Sequence, residues 1–185
     1  MIHLTNDAVQ KKDAEYGKFE TGNKLSFGEY QAYLSKYHPN LKIDFRSHIF
    51  SQIKQIMTDT FRATHKIIAP TRSMQHHTFE IFGFDFMLDE DFKVYLIEVN
   101  TNPCLETTCP ILSKIIVDMV DSAFRVAIDP LFPPPNQQKR MNTQISVMQW
   151  QLSFDEITDA DAILKMQKHS QKAAAKEESN AEEME

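Results

Sequence analysis

Glycine is scarce, with only Gly17, Gly22, Gly28 and Gly83 in 185 residues. Neither G-x-x-x-x-G-K-[ST] nor G-x-G-x-x-G can be assembled from them, which excludes a self-contained glycine-rich phosphate cradle. Cysteine occurs twice, at Cys104 and Cys109. That spacing fits neither a disulfide framework nor a four-ligand zinc site, so both read as reduced thiols. His76 and His77 adjoin but have no second pair at ligand spacing, and they read as loop residues. No apolar run approaches the ~20 residues that a membrane span needs, and the opening MIHLTNDAVQKKDAEY turns polar too soon for a signal peptide. The chain therefore reads as soluble and intracellular. There is also no arginine-rich run and no aromatic platform interleaved with basic residues, which argues against nucleic-acid binding.

What is present suffices for one core: a hydrophobic content of 42% in 185 residues supports one domain with extra segments. The formal charge of -6 is unevenly spread. Residues 1–75 carry 11 Lys/Arg against 7 Asp/Glu, and the remainder 9 against 19. A basic front half suits a solvated face or an acidic protein partner.

Along the chain, an apolar stub and a long polar loop with Gly17, Gly22 and Asn23 come first and read as a strand end and its exit. Ser26-x-x-Glu29 matches a capping box, followed by Phe27, Tyr30 and Leu34 on one helical face until His38-Pro39-Asn40. Ile49, Ile53, Ile56, Thr60, Ala63 and Ile67 mark a second helix, with Asp44 as its N-cap and Pro70 as its stop. Two strands are predicted at about 78–88 and 92–99, with Asp89-Glu90-Asp91 at the bend. Another helix carries a stripe of Ile111, Ile115, Met119 and Val126, with Ser122 filling its gap. Pro130 and the run Pro133-Pro134-Pro135 end the compact part; Val147, Trp150, Leu152 and Phe154 could dock on the body, and a charged tail follows.

The hairpin segment poses the chemical question. It is apolar enough for a sheet centre yet holds Asp85, Glu98 and Asn100. Burying an unpaired carboxylate costs several kcal/mol, order of magnitude. Strand alternation puts Glu98 and Asn100 on one side, about 7 Å apart. A two- or four-residue bend would put Asp85 on that same surface, whereas a three-residue loop would put it on the other. Two carboxylates and an amide carbonyl are hard-oxygen ligands suited to Mg²⁺ or Mn²⁺, and magnesium commonly shares its sphere with substrate phosphates. The alternative is that Asp85 and Glu98 face solvent across an open sheet. In either case Phe84, Phe86, Ile97 and Val99 would pack on the opposite face.

The ordered series HLTN, YGKFETGN, FGFDFMLD, VYLIEVNTNP and FPPP resembles the C-terminal part of the tubulin tyrosine ligase-like family, over roughly residues 2–135. The resemblance implies an α+β, partial ATP-grasp domain at 1–135, with an antiparallel sheet and flanking helices; residues 136–185 carry no family signature and read, from their low-complexity charged composition, as an extension with a mobile tail. It implies an ATP-dependent carboxylate-amine ligase: ATP phosphorylates a protein carboxylate, and the amine of a free amino acid displaces phosphate from the acyl phosphate. ATP and Mg²⁺ are the implied cofactors, and the acidic tails of tubulin or microtubules the implied acceptor. Asp85, Glu98 and Asn100 resemble the metal ligands, Glu98 and Asn100 in the catalytic role. Thr5 and Asn6 resemble the pair beside the phosphates and the incoming amino acid; pattern alone would make them a strand-end turn. EVNTNP is closer to the glutamylase-like pattern, which favours glutamate as the added residue. The family implies action in the cytoplasm at the cytoskeleton, including cilium and basal body.

One departure bears on all of this. Family members begin well upstream of HLTN, whereas Met1 here precedes His3 by two residues. The expectation is therefore a piece that lacks the N-terminal nucleotide-binding lobe and exposes apolar surface. A non-catalytic remnant that binds microtubules or a partner through its basic front is the alternative, and an unrelated metal-dependent phosphohydrolase a weaker one.

Overall fold

A computed structural model of the chain describes residues 6–68, 77–134 and 150–159, together with Lys165, Lys168 and Lys172. Pro70, His76 and Val147 lie outside the described residues. The architecture is α+β, with helices and, among the described residues, one two-stranded antiparallel sheet. The chain divides into two compact units: Met1–His48, Phe79–Gly83 and Val99–Trp150 form the first, and Ile49–Thr78, Phe84–Glu98 and Gln151–Glu185 the second.

In the first unit, the predicted strand end at the apolar stub lies outside the described residues, and the polar stretch after it, read as a loop, begins with a single helical turn, α1 (Asp7–Gln10), because the Asn6 side chain accepts a hydrogen bond from the Ala8 amide at 2.9 Å and caps it. Gly22 follows at φ +68°, a left-handed position that a β-carbon would strain even though its nearest neighbours, Cys109 Cβ at 3.5 Å and the Tyr16 hydroxyl at 3.6 Å, would be at ordinary contact distance. The helix α2 (Phe27–Tyr37) starts where the capping box foretold: Ser26 Oγ accepts from the Glu29 amide at 3.2 Å, and Glu29 Oε2 accepts from the Ser26 amide at 2.7 Å. Its Phe27 ring stacks on Phe45, centroids 4.4 Å apart, and Gln31 ties the same stretch down by donating to the Ile43 carbonyl and accepting from the Phe45 amide. Leu34 and Phe45 are buried as a result.

The last helix of this unit, α4 (Pro110–Ala127), begins with Pro110, whose fixed φ suits a first helical position. Its buried residues are Ser122 and Ala123, and Ser122 Oγ donates to the Met119 carbonyl at 3.0 Å. Ile115 and Val126, expected in the buried stripe, are exposed. The helix is apolar on more than one side, so periodicity identified a helix but not which side packs.

Asp44, still in the first unit, does act at the start of the second predicted helix, accepting from the Ser47 amide and hydroxyl at 2.8 Å each, but a wider π-type turn (Phe45–Phe50) precedes α3 (Ser51–Ile68), which belongs to the second unit. Ile49 is the most deeply buried side chain described, at 1% exposure, whereas Ile67 at the far end is 85% exposed. Of the stripe only Ile49, in the π-type turn, is buried, and α3 itself has no buried residue among those described. Thr58 donates to the Ser153 carbonyl at 3.0 Å, Arg62 donates to Asp159 at 3.1 Å, and His65 lies against Phe154, so residues 153–159 do lie along α3. Leu152 and Trp150, expected to help in that docking, are exposed.

The strands are β1 (Gly83–Leu88) and β2 (Val94–Asn100), shorter than predicted at the leading end. Gln52 on α3 holds their turn: its Nε2 donates to the Phe92 carbonyl at 3.0 Å and its Oε1 accepts from the Val94 amide at 3.1 Å. Phe61 meets Phe84, which stacks on Phe86, giving the hairpin one apolar face.

Candidate metal-binding site

The bend has three residues, not two or four. The Phe92 amide donates to the Asp89 carbonyl and the Asp89 amide to the Lys93 carbonyl, both at 3.1 Å, so Glu90, Asp91 and Phe92 form the loop, with Phe92 left-handed at φ +60°. The Asp89 side chain fixes the turn by accepting from the Asp91 and Lys93 amides and from the Tyr95 hydroxyl.

Counted strictly from this turn, Asp85 would oppose Ile97, and Glu98 would share a face with Phe84 and Phe86. Exposure along β2 follows that alternation from buried Val94 to exposed Tyr95, half-buried Leu96 and exposed Ile97, and then breaks: Glu98 is exposed as well. Exposure thus departs from strict alternation at Ile97-Glu98, and Glu98 lies within reach of Asp85. Of the two kinds of bend left open, the structure has the three-residue one, and Ile97 does not pack on the opposite face; Asp85 and Glu98 nevertheless meet. Partial burial of the Asp85 carboxyl, then the negative charge of Glu98 and a hydrogen bond with it, push Asp85 above its ordinary pKa. Two carboxylates share a hydrogen bond only when a proton lies between them, so a cation could take that place.

Asn100 ends β2 two residues beyond Glu98 and belongs to the first unit, where it lies beside Gly83 and Pro103. Asn6 also belongs to that unit, with its side-chain oxygen engaged as the cap of α1. Thr5 lies outside the described residues. Sequence reasoning overlooked Asp7, although its spacing from Lys11 is that of a helical ion pair. Its carboxylate pairs with Lys11 and Lys24 at 2.9 Å each and accepts from the Tyr16 hydroxyl at 3.0 Å, which holds it well below the usual carboxylate range.

A family model described as the tubulin-tyrosine ligase family matches residues 1–141. This chain belongs to that family. Among its relatives, the probable alpha-tubulin polyglutamylase Ttll1 of Tetrahymena thermophila is 27% identical over 157 residues, covering 84% of this chain and 36% of the relative. The protein polyglycylase TTLL10 of Rattus norvegicus is 29% identical over 146 residues, 77% of this chain and 21% of the relative. The inactive polyglycylase TTLL10 of Homo sapiens is 28% identical over 133 residues, 68% of this chain and 20% of the relative. The chain thus spans between about a fifth and about a third of the length of these relatives.

Within this tubulin-tyrosine ligase family member, the donor set fits a small hard cation. Asp85 and Glu98 offer carboxylate oxygens, and no group of three or more His, Cys, Asp or Glu that could hold a metal occurs among the described residues. A site that takes only two acids from the protein suits Mg²⁺, which keeps several waters and binds through one or two carboxylates plus phosphate oxygens, better than zinc or an all-protein calcium cage.

Proposed function

We propose that this chain supplies the metal-holding end of an ATP-grasp, ATP-dependent ligase that joins the amine of a free amino acid to a protein carboxylate, with tubulin tails as the acceptor and glutamate as the added residue. The observation that carries the reading is the meeting of Asp85 and Glu98 on one exposed face of the hairpin, inside the stretch that matches the family. Membership alone does not decide activity, because relatives named as a polyglycylase and as an inactive polyglycylase match to nearly the same degree. Their names divide between glutamate and glycine. The choice of glutamate rests on the sequence EVNTNP.

Asp85, Glu98 and Asn100 would hold Mg²⁺ through two carboxylates and an amide carbonyl, with Thr5 and Asn6 near the phosphates. When bound, the cation neutralises charge on the phosphates and on the oxygens of the group in transfer. The chain's own part is positional: the hairpin keeps the acids side by side, and Asp89 and Gln52 hold the turn that sets their spacing. In the overall reaction the γ-phosphoryl group passes from ATP to the acceptor carboxylate, releasing ADP. The amine nitrogen then forms a bond to the carboxyl carbon, the carbon–oxygen bond to phosphate breaks, and the nitrogen gives up a proton. The basic residues of the front half would favour approach of an acidic tail, less strongly as salt rises.

The test is incubation of the protein with tubulin, Mg-ATP and labelled glutamate, glycine or tyrosine. Incorporation of glutamate, lost in Glu98→Gln, is the expected result. ATP hydrolysis with no amino acid incorporated would overturn the ligase reading, and incorporation of glycine or tyrosine alone would overturn the choice of donor.

A further inference from the structure

Two glycines of the first unit are glycine for different reasons. Gly22 needs its left-handed backbone, whereas Gly83 has no such φ and needs space instead. A β-carbon on Gly83 would stand 2.9 Å from Cβ of Pro103 and 3.8 Å from both Cγ of Pro103 and Cβ of Asn100. Carbon atoms pack at about 3.5–4.0 Å, so the first contact is impossible without movement and the others are ordinary. Cβ of Pro103 cannot swing away, because the ring ties it to the backbone. Any movement must therefore be taken up by the chain from Asn100 to Pro103, which leaves β2 at that point.

We infer that Gly83 is a positioning residue for Asn100: the side chain it lacks is the space in which Pro103 rests, and that contact fixes the end of β2. The inference rests on the reading of Asn100 as an oxygen donor to the cation. Relieving the clash takes a shift on the order of half an ångström, and metal–oxygen distances tolerate only about ±0.2 Å. A single methyl group at Gly83 would thus disturb a ligand that it does not touch. Glycine within a strand is itself the sequence signal for such a close approach.

The test compares isotopically labelled wild type, Gly83→Ala and Gly83→Ala/Pro103→Gly, following the Asn100 side-chain amide by NMR and titrating each protein with Mn²⁺ in the absence of nucleotide. In Gly83→Ala the Asn100 amide signal should move and Mn²⁺ affinity should fall about 10–100-fold, the usual range for groups that orient a ligand from behind. Removing the Pro103 ring should return both towards wild type, a rescue that general destabilisation would not give. An unmoved Asn100 signal in Gly83→Ala would overturn the inference, and so would a damaged or unfolded Gly83→Ala that Pro103→Gly fails to restore. If the wild type binds no Mn²⁺ through Asp85 and Glu98, the cation reading fails, while the Asn100 signal still decides whether Gly83 sets that position.

Discussion

If Asp85 and Glu98 are kept together for a cation, the hairpin should be under electrostatic stress without one, and removing an acid should stabilise the metal-free protein. Glu98→Gln is the informative change because it preserves shape and turns a repelling carboxylate into an amide that can donate to Asp85. Two like charges ~4 Å apart cost about 1 kcal/mol in water-like surroundings and about four times that at an effective dielectric constant of 20. Both residues are exposed, so the lower figure applies, and Glu98→Gln should gain about 1 kcal/mol in EDTA. The folded-state pKa of Asp85 is raised, so the folded protein holds this proton to higher pH than the unfolded chain. The carboxyl therefore lowers stability as pH climbs from its unfolded value of about 3.9 through its folded value, and a measurement near pH 8 reads the full penalty.

Magnesium should reverse the order. A cation at ten times its dissociation constant adds about 1.4 kcal/mol to a protein that binds it only when folded. Wild type should gain that increment and Glu98→Gln little of it, so urea unfolding in EDTA and in Mg²⁺ should rank the two proteins oppositely. If wild type were the more stable in EDTA, or if both gained equally from Mg²⁺, the acids would not be a cation pair and the chemistry assigned to them would be wrong.

Two further changes test the frame around the site. Ser26→Ala removes one half of the reciprocal cap of α2 and should cost about 1 kcal/mol in urea unfolding, with Ser26→Gly costing only a few tenths; equal losses would mean that the cap is not the cause. Asp7→Asn should cost about 1–2 kcal/mol at neutral pH, a figure held down by the 40% exposure of the Asp7 side chain. Because its folded-state pKa is depressed, the Asp7 contribution is present above the unfolded value of about 3.9 and is lost as pH falls towards the folded one. The gap between wild type and variant should therefore close in acid, and a gap independent of pH would refute the ion-pair account.

What the sequence made legible was local. Ser26 and Glu29 lie three residues apart and satisfy one another's backbone, so the start of α2 could be read without knowing what surrounds it. The helix α3 and the burial of Ile49 just before it were likewise plain from spacing, but the exposure of Ile67 was not, because a stripe records what a helix can bury and says nothing of how far its partner extends. In α4 the buried positions are Ser122 and Ala123 rather than the largest side chains. Small residues carry little weight in a hydrophobic pattern, yet they are what allows a neighbour to approach closely.

At the hairpin Asp85 and Glu98 meet in a setting that departs twice from a regular ladder. Phe92 takes a left-handed conformation that the sequence marks with neither glycine nor asparagine, and this lengthens the loop to three residues. By alternation alone that loop sends Asp85 and Glu98 to opposite faces. Glu98 is nonetheless close enough to Asp85 to raise its pKa, and Ile97 is exposed beside it. A strand whose only task was to cover a core would gain nothing from either departure, since a regular hairpin would pack Ile97 inward without the strain at Phe92. Both irregularities fall in the hairpin where the two acids meet, which is where rules drawn from regular sheets should be expected to break.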